Sequence, residues 1–470
     1  MTFLSPAFMF VFLPIALAVY AMAPKFRRID LLPIISTVFF VCVNIHDLIS
    51  LAYYFAMALS LVVALSFYKK TKKRAWLIGL ELASALVASG LIFYRLMTSY
   101  DTPYHAGLVM CFLSIISFCS DVLKEEGRVP DSPWEALIYI TFFPTSLIGP
   151  FVRYGDFVQK LDHIEFSHGN FVCGATRFVI GFVKCVAISS VLGQAYDKID
   201  NAGASFGLMV FLLIAVIISI SIYTFFSGYS DMARGVALMF GIDIEKDFRN
   251  PFVNATPADY VRRFFRGFSV FCKLYIADPI DNVFSKGVFG RLVSCVLVGS
   301  FYVFILCNSA ESALILLVPA CIISYFVMFR GKNKKIRLSK WLKLPFGVLT
   351  FATMMLVWVL FNTRNLADTE DLIRELASNG AFYAPYEVLA ELTNLKYLLV
   401  PLISAVVVFF SSRILECEKK GSDTDYTRHQ MIQKTISAMV LLALFLLCVV
   451  LLLPQFPELT EFEAIGFHFI

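Results

Sequence analysis

Apolar stretches of about twenty residues recur along the whole chain, and short polar or basic segments separate them. A helix of about twenty apolar residues spans the roughly 30 Å hydrocarbon core of a bilayer, so this pattern predicts membrane-crossing helices. The candidate spans are residues 2–22, 31–48, 49–67, 76–97, 105–119, 171–194, 205–226, 290–307, 311–329, 344–361, 397–415 and 435–453. We expect an all-α polytopic membrane protein with about 11–13 transmembrane helices.

Two segments interrupt this pattern. Residues 134–150 are apolar but contain Pro144, Gly149 and Pro150, which indicates a re-entrant or interfacial element. Residues 231–287 are too polar to span simply, and they predict interfacial and half-buried helices. No repeat or low-complexity region divides the chain. We therefore expect one membrane domain over 1–470, composed of N-terminal helices (1–133), a motif-bearing core (134–310) and C-terminal helices (311–470).

The composition excludes a soluble enzyme. Hydrophobic residues make up 59% of the 470 positions and charged residues only 16%, whereas soluble proteins carry about 25% charged residues. The 11 cysteines include no CxxC pair and no other metal-ligand spacing. They therefore predict small buried apolar side chains and no metal site.

Basic clusters orient the predicted spans. They lie at residues 25–28, 69–74, 330–340 and 419–434, and placing all four on the cytoplasmic side satisfies the positive-inside rule. This arrangement predicts an N-terminus outside the cell. Juxtamembrane charge ordinarily contacts lipid headgroups, so we expect the lipid bilayer as a partner and no nucleic acid.

Five sequence blocks carry the candidate chemistry. They are residues 8–14 (FMFVFLP), 142–154 (FFPTSLIGPFVRY), 226–252 (beginning FSGYSDMA), 344–361 and 466–470. In this order they resemble the blocks of the membrane-bound O-acyltransferase (MBOAT) family, in particular the branch that acetylates alginate and related bacterial exopolysaccharides. The resemblance covers nearly the whole chain.

The resemblance implies an MBOAT-type bundle with a tunnel across the membrane. It also implies acyl transfer to a cell-surface polysaccharide, with acetyl-CoA or another acyl thioester as the cytoplasmic donor and with no bound cofactor. An exported acetyltransferase or another glycan-modification protein is the expected partner, and the bacterial inner (plasma) membrane is the expected location.

The chain departs from the family at the histidines. Its six histidines are at positions 46, 105, 163, 168, 429 and 468, so none lies between Gly169 and Arg428. Residues 260–273 resemble the family's FWRRWHISLSTWLR, and Phe265 stands where that segment carries its first histidine. For the second histidine, a gapless comparison selects Val303, and a comparison anchored on Ala310 selects Asn308.

Asn308 and Glu311 are the candidate catalytic residues in place of a histidine base. An asparagine amide polarises a carbonyl by hydrogen bonding but does not accept a proton at usable pH. A buried Glu311 with a raised pKa can act as a base, although a solvated turn is the simpler interpretation of its position. Loss of a general base costs about 10²–10⁴-fold in rate.

The candidates for a tunnel or donor-binding site are Arg153, Tyr154, Tyr229, Asp231, Arg262, Arg263 and Lys273. Arg153 and Tyr154 equally suit an anchor for the helix break at headgroup level. Asp231 marks either a helix cap or a cavity wall. The basic residues from Arg262 to Lys273 suit an amphipathic interfacial helix, or contacts to donor phosphates.

Three functional interpretations follow. The first is an acyltransferase-fold pseudoenzyme that serves as a scaffold or conduit in a glycan-modification complex. The second is a working O-acyltransferase with an altered site. The third is a membrane transporter, which predicts inverted repeats and paired broken helices. The sequence shows neither, so we favour a role in O-acylation of a surface polysaccharide.

Overall fold

The structure is a computed structural model that describes residues 2–408, apart from short gaps, and a few positions between 442 and 449. The gaps lie at 25–27, 46, 98–106, 126, 147–148, 163, 165, 202–205, 249–255, 285–286, 307–309, 330–339, 363–369, 371–373, 375, 395–398 and 407. Within the described residues the chain forms helices joined by turns and loops, without a β-strand. The predicted all-α class is confirmed.

The helices of the first half are α1 (Leu13–Met22), α2 (Arg28–Val43), α3 (Leu48–Thr71), α4 (Ala75–Met97), α5 (Leu108–Leu123), α6 (Pro133–Thr141), α7 (Phe143–Ser146), α8 (Tyr154–Leu161), α9 (His168–Val183) and α10 (Val191–Asn201). Those of the second half are α11 (Leu208–Met239), α12 (Pro257–Phe264), α13 (Arg266–Phe271), α14 (Asp278–Val283), α15 (Val288–Leu306), α16 (Ala310–Phe329), α17 (Lys340–Asn362) and α18 (Tyr386–Leu392). Three π-helical segments join or extend them, at Ala7–Phe12, Lys184–Ser190 and Cys272–Ala277.

Short polar residues set several helix starts. The Asp47 carboxylate accepts hydrogen bonds from the Ile49 and Ser50 amides at the start of α3. The Ser132 and Thr256 hydroxyls cap α6 and α12, and a proline follows each of these two caps. Such side chains satisfy amides that have no partner within the helix, so these boundaries are encoded locally.

In the part of the chain that the structure describes, three continuous helical stretches are long and apolar enough to cross a membrane: Leu48–Thr71, His168–Ile199 and Leu208–Met239. Shorter apolar stretches lie at Ala7–Met22, Ala75–Leu91, Leu108–Leu123, Val288–Val303, Ala313–Met328 and Pro345–Leu360. The chain is therefore an integral, polytopic membrane protein. The number of crossings and the orientation of the N-terminus stay predictions, and spans 397–415 and 435–453 lie largely outside the described residues.

Helix α11 corrects two predictions. The sequence predicts a span that ends at Phe226 and interfacial helices from Asp231 onward, whereas α11 continues from Leu208 to Met239. The polar part of the FSGYSDMA block stays helical because it is buried against other helices; Ser227 and Ser230 are 3% and 2% exposed. The predicted interfacial segment begins only after Met239.

Paired glycines hold α9 and α11 in close contact. A Cβ added to Gly174 would lie 2.6 Å from the Gly235 carbonyl oxygen, and one added to Gly228 would lie 2.7 Å from the Gly181 carbonyl oxygen. Real side chains do not approach backbone so closely, so only glycine fits on either helix. Small residues allow membrane helices to pack backbone to backbone, and here they align α9 and α11 antiparallel.

The predicted break at 134–150 is confirmed as an interrupted helix. Helix α6 ends at Thr141, and the short α7 starts one residue later. The Phe143 amide donates to the Ser36 hydroxyl on α2 at 3.2 Å, and the Tyr139 hydroxyl donates to the Val152 carbonyl at 2.8 Å. These bonds satisfy backbone groups freed by the interruption, which membrane depth requires.

Candidate active site

Arg153 and Tyr154 lie in a buried polar network rather than at a headgroup surface. The Arg153 guanidinium forms a bidentate pair with the Asp121 carboxylate, with an Nε–Oδ2 distance of 3.0 Å. The Asp121 carboxylate is fully buried, and it also accepts from the Tyr275 hydroxyl at 2.8 Å and from the Gly155 amide at 3.0 Å. The network therefore ties the chain after the helix break to α5 and to the π-helical segment Cys272–Ala277.

Tyr154 is completely buried, and its hydroxyl donates to the Arg128 carbonyl at 3.0 Å. Its ring packs edge-on against Phe118 and Tyr139. The surface-anchor interpretation is wrong for this residue, because a side chain enclosed by protein does not reach lipid headgroups. A role of Arg153 and Tyr154 toward the donor stays a prediction.

Asp231 lies inside α11, eight residues before its end, so the helix-cap interpretation is wrong. Its Oδ2 lies 2.5 Å from Lys184 Nζ, and its Oδ1 lies 3.3 Å from Arg234 NH1. All three side chains are at most 16% exposed. An acidic group in a membrane helix is stable when it is paired, and this pairing joins α11 to the π-helical segment Lys184–Ser190.

Tyr229 is fully buried, and its ring stacks on Phe3 with 5.0 Å between ring centroids. This contact holds the N-terminal segment against α11. The contribution of Tyr229 to a tunnel stays a prediction.

The basic residues of segment 260–273 are divided by a backbone break. Helix α12 ends at Phe264, and Phe265 leaves helical geometry with φ −129° and ψ 74° before α13 begins. The single amphipathic helix expected over this segment is therefore wrong. Arg262 donates to the Phe326 and Val327 carbonyls at the end of α16, whereas Arg263 and Lys273 are exposed.

One cavity is lined by Phe265, where the family resemblance has its first histidine, and by Val303, where the gapless comparison has the second. This apolar chamber lies between α12, α15, α16 and α17. Its lining residues are Tyr260, Val261, Phe264, Phe265, Tyr302, Val303, Leu316, Pro319, Ala320, Ile323, Ser324, Val327, Met354, Val357 and Trp358. No histidine, cysteine, aspartate or glutamate is among these described lining residues.

Three polar side chains that line the chamber, those of Tyr260, Tyr302 and Trp358, form hydrogen bonds. The Trp358 indole donates to the Tyr260 hydroxyl at 3.1 Å, and the Tyr302 and Ser269 hydroxyls lie 2.9 Å apart. A tyrosine hydroxyl, with an ordinary pKa near 10, is not a base at neutral pH. The described part of the chamber thus offers an apolar site without a proton acceptor.

Of the two candidate catalytic residues, only Glu311 belongs to the part of the chain that the structure describes. Asn308 lies outside the described residues. Glu311 is in the first turn of α16, which carries the chamber residues Leu316 and Pro319 one to two turns further on. Catalytic roles for Asn308 and Glu311 stay predictions.

A second, polar cavity lies on the other side of the Phe265 break. This polar vestibule, of about 520 Å³, is lined by Pro150, Phe151, Val152, Arg153, Asp156, Lys160, Glu245, Lys246, Asp247, Arg266, Gly267 and Val270. Asp247 is buried and accepts a hydrogen bond from the Gly267 amide. Burial raises the pKa of Asp247 to about 6, against the opposing effects of the Gly267 amide and the Arg266 charge.

Sequence reasoning missed Lys184, Asp121 and Arg234, which complete the buried networks. A signal for Lys184 was present, because a lysine within an apolar span is costly unless it has a partner. The partner itself could not be read from the chain. Among the described residues no cluster of histidine, cysteine, aspartate or glutamate is arranged to hold a metal ion.

The helix bundle is that of a polytopic membrane protein with two cavities, the apolar chamber and the polar vestibule, among its helices. Residues 95–298 match the family described as MBOAT, membrane-bound O-acyltransferase family. The probable alginate O-acetylases of Azotobacter vinelandii and Pseudomonas aeruginosa are 23% and 25% identical to the chain; each alignment covers 88% of this chain, and 85% and 82% of the relative. The peptidoglycan O-acetyltransferase of Helicobacter pylori is 24% identical over 52% of this chain and 46% of its own length.

The family match at residues 95–298 covers less than half of the chain, and the alignments with the two alginate O-acetylases extend the similarity over 88% of it. The chain is thus similar to members of the membrane-bound O-acyltransferase family.

Proposed function

We propose that the chain takes part in O-acylation of a cell-surface polysaccharide, as a bacterial inner-membrane subunit whose acyl chamber lacks the usual histidine base. The observation that carries this proposal is the apolar chamber lined by Phe265 and Val303. An acyl group is apolar and fits such a lining, whereas the proton of an attacking hydroxyl finds no acceptor there.

The names of the relatives indicate which class of molecule accepts the acyl group. Two are named as alginate O-acetylases and one as a peptidoglycan O-acetyltransferase, so a surface polysaccharide is the common substrate type. The donor is acetyl-CoA or another acyl thioester, and an exported acetyltransferase or acceptor-bound partner completes the reaction. A scaffold or conduit role within the same complex is the second candidate, since the described chamber holds no base.

The first experiment measures polysaccharide acylation in the source organism. Deleting the gene should lower the amount of ester-linked acyl groups that mild alkali releases from the purified surface polysaccharide. Restoring the wild-type gene should restore that amount. Unchanged acyl content after deletion would contradict the proposal.

The second experiment separates catalysis from a scaffold role. Purified protein in lipid nanodiscs is assayed for acyl-thioester turnover as wild type and as Val303→His, Phe265→His, Asn308→His, Asn308→Ala and Glu311→Gln. We expect low wild-type turnover, and a gain of about 10²-fold or more when a histidine returns to the chamber. Fast wild-type turnover that Asn308→Ala or Glu311→Gln abolishes would show instead a working site with a different base.

A further inference from the structure

Arg177 on α9 is a cation that neither buried network uses. It lies three residues after Gly174, and its side chain is partly exposed. Its Nε, however, is buried and has no hydrogen-bond partner. Buried polar atoms in folded proteins nearly always have a partner, so this nitrogen points to an acceptor that is not part of the chain.

Arg177 and Arg234 project to the same side of the α9–α11 pair. A Cβ added to Gly235 would lie 2.6 Å from the Phe178 backbone nitrogen, so these two residues face each other. Each arginine precedes one of them by one position. On antiparallel helices the two preceding residues turn to the same side of the contact, because both helices are right-handed. The two guanidinium groups are accordingly close enough for their charges to repel.

The carboxylate at this contact is already shared. Asp231 forms ion pairs with both Lys184 and Arg234. Within the described residues, Arg177 forms no ion pair with a carboxylate. It therefore adds an uncompensated positive charge beside two cations that share one acidic partner.

The other charged groups nearby do not compensate Arg177. Asp243 attracts Arg234 and Lys246 attracts the carboxylate of α11, which adds one charge of each sign. Asp247 also attracts Arg234, but this carboxylate accepts from the Gly267 amide in the vestibule. An anion from outside the chain is thus the missing partner.

We propose that Arg177, with Arg234 behind it, binds the phosphate group of an anionic phospholipid in the adjacent leaflet. The planar guanidinium fork donates two parallel hydrogen bonds to phosphate oxygens, which makes arginine the side chain best suited to this contact. Basic pockets between transmembrane helices bind anionic lipid headgroups. This lipid site is independent of the proposed acyl transfer.

The depth of Arg177 favours a lipid over a soluble anion. The stretch His168–Ile199 has 32 residues, a length of about 48 Å, whereas the hydrocarbon core is about 30 Å thick. Arg177 lies about 14 Å from the start of this stretch, which is about 5 Å inside the core when the stretch is centred. A long arginine side chain reaches headgroup phosphates from there, whereas a free anion would have to enter hydrocarbon.

The surface of α9 agrees with this placement. Phe171 and Val172, near the start of the helix, are 38% and 46% exposed. Exposed apolar side chains on a membrane-crossing helix face lipid. A phospholipid whose tails lie along this surface brings its phosphate to the level of Arg177.

Native mass spectrometry of the purified protein tests the site. The protein is delipidated in non-ionic detergent and titrated with dioleoyl phosphatidylglycerol, and the fraction that carries one lipid is measured. Arg177→Gln should weaken this first binding step by about tenfold, because a charge-assisted bidentate contact is lost. Arg177→Lys keeps the charge but not the fork, so its affinity should fall between those of the wild type and Arg177→Gln.

Arg74→Gln is the matched control. The Arg74 side chain is 65% exposed in the basic cluster before α4, so this variant removes the same charge without changing α9. Its affinity for phosphatidylglycerol should equal that of the wild type. Equal weakening by Arg74→Gln and Arg177→Gln would show diffuse attraction to a basic surface and would overturn the proposal.

The thermal unfolding midpoint separates a ligand site from a structural role. Without lipid, Arg177→Gln should unfold at the wild-type temperature or above it, because repulsion between two guanidinium groups is removed. Phosphatidylglycerol should then raise the wild-type midpoint more than that of the variant, because a ligand of the folded state stabilises it. A lower midpoint of Arg177→Gln without lipid, and equal gains with lipid, would assign Arg177 a structural role and overturn the proposal.

Soluble competitors identify the source of the phosphate. Inorganic phosphate and coenzyme A are each added in large excess to the protein with bound phosphatidylglycerol. We expect neither to displace the lipid. Displacement by inorganic phosphate would assign the site to a free anion, and displacement by coenzyme A would assign it to a thioester donor; either result would overturn the lipid assignment.

Discussion

Lys184 Nζ lies 2.5 Å from Asp231 Oδ2, and this ion pair joins two helical stretches that are each long and apolar enough to cross the membrane. The Ser227 hydroxyl lies 3.2 Å from the same ammonium group. Arg234, which is also on α11, forms a second ion pair with Asp231. Because the Asp231 carboxylate pairs with both cations, these charged side chains are stable at largely buried positions of the bundle.

Removing one partner of this pair should destabilise the protein strongly. Lys184→Met leaves the Asp231 carboxylate with only Arg234, and breaking a buried pair in this way costs about 3–5 kcal/mol. The measurement is the thermal unfolding midpoint of the detergent-solubilised protein. Lys70→Met, at an exposed position near the end of α3, is the control.

A double variant tests whether the cost arises from the contact between Lys184 and Asp231. Lys184→Met combined with Asp231→Asn should cost less than the sum of the two single variants, because each single variant already removes that contact. Strictly additive costs would contradict the ion-pair explanation.

The glycine contacts between α9 and α11 should not accept a methyl group. Gly174→Ala or Gly228→Ala places a Cβ within 3 Å of backbone on the facing helix, and overpacking of this kind costs about 1–3 kcal/mol. Gly79→Ala is the matched helical control, since nothing lies within 4 Å of its added Cβ. Equal unfolding midpoints for Gly228→Ala and Gly79→Ala would show that the helices separate easily.

Arg262 and Arg263 are sequence neighbours with different environments. Arg262→Ala removes the hydrogen bonds to the Phe326 and Val327 carbonyls, and loss of hydrogen bonds from a charged group costs about 1–3 kcal/mol. Arg263→Ala removes an exposed side chain and should leave the thermal midpoint nearly unchanged. Equal effects of the two substitutions would contradict the docking of α12 on the end of α16.

The free energy of unfolding should fall as the pH rises, because the buried Asp247 carboxyl group ionises. Burial raises the pKa of this carboxyl from 3.8 to about 6, so the folded state binds the proton more tightly than the unfolded state. The protonated carboxyl contributes fully below about pH 4, and its contribution is lost as the pH rises through 6. A shift of about two units corresponds to at most about 3 kcal/mol.

Asp247→Asn isolates this effect, since an amide oxygen still accepts from the Gly267 amide but does not ionise. The difference in thermal midpoint, variant minus wild type, should grow between pH 4 and pH 7. A difference that stays constant over this range would rule out Asp247 as its source.

The sequence predicted the features that depend on local pattern. Apolar stretches of about twenty residues indicated most helices of the first half, and Pro144, Gly149 and Pro150 indicated the broken segment. The motif comparison placed Phe265 at the first histidine position and, when made without gaps, Val303 at the second, and both line the chamber. Asn308, the other candidate for the second histidine position, lies outside the described residues. An experiment is therefore needed to decide between Val303 and Asn308.

The remaining features depend on contacts between distant residues. Asp121 pairs with Arg153, and Lys184 pairs with Asp231, across separations that no local pattern encodes. The polar FSGYSDMA block was expected to end a helix because its residues favour water. Its burial against α9, which the glycines make possible, keeps α11 helical instead.

The close backbone packing of α9 and α11 keeps these two helices fixed relative to each other. The glycine contacts leave no space for α9 and α11 to shift sideways, and the Lys184–Asp231 ion pair opposes sliding of one helix along the other. Helices α16 and α17, which line the chamber, instead carry Pro319 and Pro345 inside them, where a missing backbone donor permits bending. A bend at either proline would change the shape of the chamber and leave the α9–α11 pair in place.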